Sequence, residues 1–302
     1  MSSGTAEKHH YIPCFYTRQW SGADGRLCEF SRHHGIVKPR MTHPKGTGYA
    51  MRLYSVDGVA PEHRNAVEER FMRKTDQLAS DALQLLLKGD GRAFTVETKS
   101  GWSRFIMSLM QRNPQKVEWA RRNLRGLYSQ ELAKREADYD RLRGPADPPT
   151  FAEFKARMDA TAIDIASFQL VQTMIDMPNV GQFINGMSWS ITTVPQNSPT
   201  FLTSDRPVVM SNGLARPEAY IFLPIGPRKL FVAVHQNERH LWNPWLDDLP
   251  PPELTFRVNN VVASQAEKYV YGIDDGARHF VAERLGSQPA QFIGGNNPDP
   301  SE

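Results

Sequence analysis

The sequence is poor in cysteine and has no long hydrophobic run. Its 302 residues include two cysteines, Cys14 and Cys28, which are too few for a disulfide framework and lack the spacing of a zinc site. The longest apolar helical pattern, at 163–177, is interrupted by Asp and Gln side chains, which argues against a membrane span. The first ten residues contain no apolar signal core. We therefore expect a cytoplasmic protein with free thiols and no membrane partner.

Several well-marked catalytic motifs are also missing. The sequence contains no His-Glu-x-x-His, no paired Cys-x-x-Cys, no Gly-x-Ser-x-Gly and no phosphate-binding P-loop. These absences remove support for the common zinc hydrolases, serine hydrolases and P-loop nucleotide-binding proteins. Cofactor, metal and substrate are all left open.

Charge is unevenly distributed along a nearly neutral chain. The 36 basic and 33 acidic residues give a net charge of +3. Residues 1–150 carry 25 basic and 17 acidic groups, whereas residues 151–302 carry 11 and 16. The basic first half could meet a nucleic acid or another polyanion, and a solvated surface explains the same excess.

Periodicity divides the chain into a β-rich start, a helical centre and a β-rich end. The start predicts a strand at 11–16, a hairpin at Asp24-Gly25 and a strand at 50–56. The centre predicts four helices, at 61–89, 102–110, 115–143 and 151–177. The last of these has the widest apolar stripe and is expected to be the most buried.

The end of the chain predicts strands, followed by one further helix. Strand-forming runs occur at 188–194, 201–203, 208–210, 219–225 and 229–235. The helix is predicted at 253–269. The whole reads as a single α+β domain over residues 1–287, with central helices packed against mixed or antiparallel β structure from both ends. Residues 288–302 are predicted to be a disordered tail.

Three polar clusters could carry chemistry. His9 and His10 are adjacent, so on an extended backbone they point to opposite faces and only one can enter a given site. Arg112 precedes Asn113-Pro114 at a junction between helices, where a guanidinium can bind a carboxylate or phosphate or simply end a helix. Asp205 follows a short strand, where it could be a base, a metal ligand or the acceptor of an Asx-type turn.

These clusters coincide with a family pattern. The opening His9-His10-Tyr11-Ile12-Pro13, the Pro44–Gly48 segment, Arg112-Asn113-Pro114 and the turn Thr203–Pro207 are its main parts. On these residues the chain resembles the bacterial domain-of-unknown-function 4238 family over most of 8–270. The resemblance implies a common fold and brings no activity with it. It selects polar positions from both halves of the chain, namely His10, Tyr11, Lys45, Arg112, Ser204 and Asp205.

Two functions are consistent with this pattern. The first is a binding or interaction protein, a component of a bacterial defence or mobile-element locus, in which these polar residues fix the N-terminal strand to the C-terminal sheet. The alternative is a nuclease-like hydrolase of a phosphate-containing substrate. Its catalytic residues would be His9, His10 and Asp205, as an acid/base pair or as ligands of a metal. The substrate-binding residues would be Tyr11, Lys45, Arg112 and Ser204.

The two halves of the pattern are expected to meet in space. A buried aspartate at a strand end needs hydrogen-bond donors, and the turn itself supplies only some of them. We therefore expect the His9–Tyr11 segment to pack beside the Thr203–Pro207 turn, with a histidine ring close to Asp205. Lys45 and Arg112 are expected to border the same cleft.

Overall fold

The computed structural model describes residues 8–56, 71–89, 94–136, 138–157, 160–211, 213–242 and 248–288. Within these ranges the chain combines helices with antiparallel sheets, which confirms the predicted α+β class. The expected start of the first long helix, at 61–70, and the expected tail, at 289–302, lie outside the described residues. The single domain over 1–287 stays a prediction.

The strands form three sheets. The first pairs β1 (Lys8–His10) with β4 (Tyr49–Met51). The second has the order β3-β2-β10-β6, where the strands are β2 (Leu27–His33), β3 (Ile36–Thr42), β6 (Thr203–Ser204) and β10 (Tyr269–Gly272). The third has the order β5-β9-β8-β7, where the strands are β5 (Ser188–Thr193), β7 (Val209–Met210), β8 (Tyr220–Gly226) and β9 (Lys229–Val234). The predicted strands at 188–194, 219–225 and 229–235 are confirmed.

The helices fill the centre of the chain and its C-terminal part. In order they are α1 (Cys14–Thr17), α2 (Arg73–Lys88), α3 (Val96–Gln111), α4 (Pro114–Glu136), α5 (Tyr139–Leu142), α6 (Phe151–Arg157), α7 (Ala160–Ile175), α8 (Pro178–Gly186), α9 (Pro251–Ser264) and α10 (Arg278–Arg284). Helix α2 ends as predicted at Gly89, whose φ of +73° suits a residue without a side chain. No helix among the described residues is both long and apolar enough to cross a membrane.

The second sheet has one apolar and one polar face, because successive side chains of a strand point to opposite sides. Phe30 of β2 and Val270 of β10 face α9 and α10 in a buried cluster with Ala263 and Val281. The paired residues on the other face are polar: Thr203, Tyr271, Glu29 and Arg40 form one row across the sheet, and Tyr269, Ser31 and Lys38 form the next. This polar face positions part of the candidate site.

The N-terminal predictions are partly wrong. Residues 11–16 do not form a strand: Pro13 caps α1, and its carbonyl accepts hydrogen bonds from Tyr16 and Thr17 N–H. The predicted hairpin at Asp24-Gly25 is only a turn leading into β2. The hairpin instead joins β2 to β3 through His34 and Gly35, whose φ values of +49° and +82° fit a type I′ turn.

Three further boundaries differ from expectation. The strand predicted at 50–56 stops after Met51, because Arg52 has a φ of +53° that ends the extended conformation. The helix predicted at 253–269 ends at Ser264. Residues 269–272 instead form β10, where the alternating tyrosines pair with β2 and β6.

The prediction that the 151–177 helix is the most buried is also wrong for the side chains that the structure describes in it, which leave out those of residues 155–161. Helix α3 buries ten residues, including Trp102 and Phe105, because it packs between α2, α7, α8 and the third sheet. In α7, Phe168, Val171 and Ile175 are buried, but Ile165 remains 39% exposed. The apolar stripe of α7 is therefore wider than the surface that covers it.

Candidate functional site

The two N-terminal histidines lie on opposite faces of β1. His9 is buried, and its Nδ1 accepts a hydrogen bond of 2.9 Å from the backbone N–H of Tyr54. Its ring stacks on the Tyr54 ring, with centroids 5.5 Å apart. His10 is half-buried, and its ring lies 5.6 Å from that of Tyr49. Only His10 therefore faces away from the main core.

The Arg112-Asn113-Pro114 motif joins two helices. Arg112 is the C-terminal cap of α3, and its N–H donates to the carbonyl of Ser108. Asn113 caps α4, because its Oδ1 accepts the Lys116 N–H at 2.9 Å. Pro114 follows as the first residue of that helix, where its missing N–H costs nothing. This junction directs the Arg112 side chain into the interior.

The guanidinium of Arg112 is completely buried and only partly satisfied. Its Nε donates to the Tyr11 carbonyl at 2.9 Å, and its Nη1 donates to Asp76 Oδ1 at 2.7 Å. Its Nη2 is buried without a hydrogen-bond partner among the described residues. Burial raises the pKa of Asp76, and the charge of Arg112 opposes that rise. A buried N–H with no acceptor is costly, which makes Nη2 the notable atom of this region.

His10 presents a second buried atom without a partner. Its Nε2 has no hydrogen-bond partner within the described ranges. Burial lowers the pKa of His10, a hydrogen bond with the Lys45 backbone acts in the opposite direction, and the positive charge of Arg112 lowers the pKa further. The ring is therefore neutral near pH 7, since its ordinary pKa is already close to 6.5.

Lys45 and Cys14 complete this group. Lys45 is exposed on the turn between β3 and β4. Burial raises the pKa of the Cys14 thiol, while the charges of Lys45 and Asp76 act on it in opposite directions. We define the His10–Arg112 site as the side chains of His10, Cys14, Lys45, Asp76 and Arg112.

The Ser204-Asp205 turn has a different environment. Asp205 is buried, and its two oxygens accept hydrogen bonds from the backbone N–H groups of Glu267, Lys268 and Tyr269 at 2.7–3.1 Å. Burial raises its pKa to about 6, although these three bonds favour the charged form. Ser204 Oγ accepts the Arg206 N–H at 3.2 Å. The turn thus holds the segment between α9 and β10 against β6.

Tyr11 lies between the two groups. Its carbonyl accepts from Arg112, and its N–H donates to the Gly48 carbonyl at 2.9 Å. Burial raises the pKa of its phenol, and the negative charge of Asp205 raises this pKa further. The backbone of Tyr11 therefore belongs to the His10–Arg112 site, while its ring adjoins Asp205.

The structure thus brings the predicted site residues together in two separate groups and not in one. His10, Lys45 and Arg112 form one group, Ser204 and Asp205 form another, and Tyr11 connects them. The expectation that a histidine supplies a donor to Asp205 is wrong. Its two carboxylate oxygens accept instead from the backbone N–H groups of Glu267, Lys268 and Tyr269. The catalytic and binding roles of all these residues remain predictions.

Comparison with known proteins identifies the family and nothing more specific. The sequence model of a family described as "Protein of unknown function (DUF4238)" matches residues 8–276. The chain belongs to this family. No curated protein and no solved structure matches it. The match includes every residue of both groups described above, from His9 to Asp205 and its donors at 267–269.

The sequence alone did not reveal several contacts of the His10–Arg112 site in this DUF4238 protein. Asp76 lies in the first turn of α2, where an acidic residue is ordinary, so nothing in its spacing predicts a pair with Arg112. Tyr54 follows the short strand β4, and only the fold shows that its hydroxyl donates to the Arg112 carbonyl at 2.5 Å. Cys14 is half-buried, and neighbouring charged groups act on the pKa of its thiol, which its place in the sequence does not predict.

A metal centre finds no support in the described residues. They contain no group of three or more His, Cys, Asp or Glu side chains placed to hold a metal ion. Asp205 already uses both oxygens for backbone hydrogen bonds, and His9 Nδ1 accepts from Tyr54. The side chains of the His10–Arg112 site can supply hydrogen bonds, charge and proton transfer by His10.

Proposed function

We propose that this protein binds a phosphate-containing ligand at the His10–Arg112 site. The observation that carries the proposal is the fully buried Arg112 guanidinium, whose Nη2 has no partner among the described residues. An oxygen of a bound anion would accept this N–H. Arginine is well suited to that role, because its planar fork matches the oxygens of phosphate.

The combination of Arg112 with His10 favours phosphate over carboxylate. Neutral imidazole offers either an N–H donor or a lone pair, depending on its tautomer. A phosphate monoester loses its second proton with a pKa of about 6, so near neutral pH it can present both a protonated and an unprotonated oxygen. It can therefore satisfy Arg112 Nη2 and His10 Nε2 with either tautomer. Lys45, exposed nearby, adds a positive charge.

Thermal unfolding in the presence of phosphate tests this proposal. Ligand that binds only the folded state raises the melting temperature, so inorganic phosphate and phenyl phosphate should stabilise the protein while equal ionic strength of chloride should not. His10→Asn should abolish the stabilisation. His34→Asn is the matched control, because His34 is exposed in a turn with a φ of +49° that asparagine tolerates. Equal phosphate effects in both variants would refute the proposal.

A second candidate function is hydrolysis of the phosphate-containing ligand, in the manner of a nuclease. It is favoured by His10, whose lowered pKa leaves a neutral ring with an unpartnered Nε2 that could accept a proton from water. Hydrolysis of p-nitrophenyl phosphate and bis-p-nitrophenyl phosphate should then be measurable and should be lost in His10→Asn. Phosphate binding without turnover of either ester would leave binding as the function.

The same proposal includes a cellular setting. We expect a cytoplasmic protein, because its two cysteines are unpaired, and burial raises the pKa of both thiols. A role as a binding component of a bacterial defence or mobile-element locus is consistent with a buried anion site, and it stays a prediction.

A further inference from the structure

Beside the His10–Arg112 site, aromatic rings are combined with accessible cations. Two half-buried tyrosines, Tyr49 on β4 and Tyr269 on β10, are the aromatic members. The basic members, each half-buried or exposed, are Lys8, Lys38, Arg40, Lys45 and Lys268. We call these seven residues the tyrosine–lysine strip.

The Tyr49 end of the strip adjoins the His10–Arg112 site. Lys8 Nζ lies 4.6 Å from the centroid of the Tyr49 ring, and the His10 ring lies 5.6 Å from it. His10 also has a hydrogen bond with the backbone of Lys45. A ligand that reaches His10 would therefore meet the Tyr49 ring and the Lys8 ammonium, beside the turn that carries the exposed Lys45.

The Tyr269 end lies on the polar face of the second sheet. Tyr269 pairs with Ser31, which pairs with Lys38, so the three side chains project from the same face. Lys268 Nζ lies 5.0 Å from the centroid of the Tyr269 ring. Tyr269 is on an inner strand of this sheet, so its ring lies on the sheet face next to one lysine ammonium and on the same face as a second lysine.

Arg40 connects the two ends. It is exposed on the edge strand β3, and its guanidinium forms a two-pronged contact of 3.0–3.2 Å with the carboxylate of Glu29. The Glu29 carboxylate raises the pKa of Arg40, and the phenols of Tyr269 and Tyr49 are smaller causes of the same rise. One cation is thus within electrostatic range of both rings.

Two carboxylates near the strip are buried and already bonded, and an exposed one, Glu267 beside Lys268, is paired with Arg206 at 2.8 Å. Glu29 is 2% exposed and contacts Arg40, while Asp205 accepts three backbone hydrogen bonds. Lys38, Lys45 and Lys268 remain exposed. The accessible charge of the strip is therefore positive, and the rings lie among those positive charges.

We infer that the tyrosine–lysine strip binds a single-stranded nucleic acid. Unpaired bases stack on aromatic rings while the backbone phosphates contact lysine and arginine, which is the combination that this strip offers. A base-paired duplex would present only its phosphates to a sheet face, leaving Tyr49 and Tyr269 without a base to stack on. The inference rests on the proposed function, because one phosphate of the strand would occupy the His10–Arg112 site.

Fluorescence anisotropy with labelled oligodeoxythymidine tests the inference on the full chain. Lys38→Ala/Lys268→Ala should weaken binding and reduce the slope of log affinity against log salt by about 1.4, since each contact to a single strand contributes about 0.7. Tyr269→Leu, which keeps most of the buried volume and removes the aromatic face, should weaken binding by about tenfold. The matched control is Arg122→Ala/Arg125→Ala, which removes two exposed charges from α4 and should leave binding unchanged.

Three results would overturn the inference. One is an absence of oligonucleotide binding at low salt. Another is an equal loss of binding in the α4 control. The third is competition by polyglutamate as effective as that by unlabelled oligonucleotide, because it would show that the strip recognises charge alone. Thermal unfolding with phosphate separates this inference from the proposed function. Stabilisation by phosphate without oligonucleotide binding would refute the inference only. The absence of both effects would refute the inference and the proposed function together.

Discussion

The Arg112 guanidinium donates a hydrogen bond of 2.9 Å to the carbonyl of Tyr11, 101 positions away in the sequence. The same side chain contacts Asp76 on α2, and its own carbonyl accepts from Tyr54. One buried arginine therefore ties the N-terminal segment to the start of α2 and to the end of α3. This contact also fixes the direction of Nη2, on which the proposed phosphate site depends.

Replacement of Arg112 by lysine should lower stability. A lysine keeps the charge, but a single ammonium group cannot reproduce the fixed geometry that bonds both the Tyr11 carbonyl and Asp76. We expect the free energy of unfolding to fall by about 2 kcal/mol, measured by urea denaturation. Arg122→Lys, at an exposed position of α4, should change it by less than about 0.5 kcal/mol. Equal effects of the two substitutions would show that the buried contacts contribute nothing.

Asp205 should make stability depend on pH in an unusual direction. Because its pKa in the folded protein is raised to about 6, its stabilising contribution is complete below the ordinary Asp pKa of about 3.9 and is lost as the pH rises through 6. The free energy of unfolding of the wild type, minus that of Asp205→Asn, should fall by about 2 kcal/mol between about pH 4 and pH 7. Urea denaturation at several pH values measures this difference. A difference that rises or stays constant would contradict the raised pKa.

Phe168 should be essential to the packing of α7. Its side chain is 2% exposed, and its ring meets the Tyr54 ring edge-on at 6.2 Å. Phe168→Ala should lower the free energy of unfolding by about 3–5 kcal/mol, because the cavity cannot close completely. Ile165→Ala, on the exposed side of the same helix, should cost less than about 1 kcal/mol. A loss below about 1 kcal/mol for Phe168→Ala would mean that this face is not part of the core.

Gly48 should tolerate no side chain. Its φ is +64°, and an added Cβ would lie 3.1 Å from Ile12 Cβ and 3.2 Å from the Ile12 carbonyl oxygen. Gly89 has a similar φ of +73°, but an added Cβ there meets nothing within 4 Å. Gly89→Ala should therefore cost about 1 kcal/mol from backbone strain alone, and Gly48→Ala should cost about 1–2 kcal/mol more through crowding. Thermal or urea unfolding of the two variants gives the comparison, and identical losses would show that Ile12 moves aside freely.

The sequence predicted the elements whose signal is local. Helix α4 and the hairpin of β8 and β9 follow from periodicity and from turn residues that lie within the same short segment. It also singled out Arg112 and Asp205, because a charged residue at the end of an element is conspicuous in a linear pattern. What these residues contact could not be read in this way.

Predictions from local sequence patterns were wrong where residues distant in the sequence determine the structure. Tyr269 continues a plausible helix in the sequence, but β2 and β6 offer it hydrogen bonds on both sides, and it becomes part of a strand. Asp205 needs donors, and the fold supplies them from residues 267–269 rather than from a histidine. The composition and spacing of the sequence thus determined which polar groups are present and which elements form locally. The tertiary structure alone decided which buried donors have acceptors and which, like Nη2 of Arg112, have no partner among the described residues. The reason is that a hydrogen bond depends on the distance between two groups in space and not on their separation along the chain.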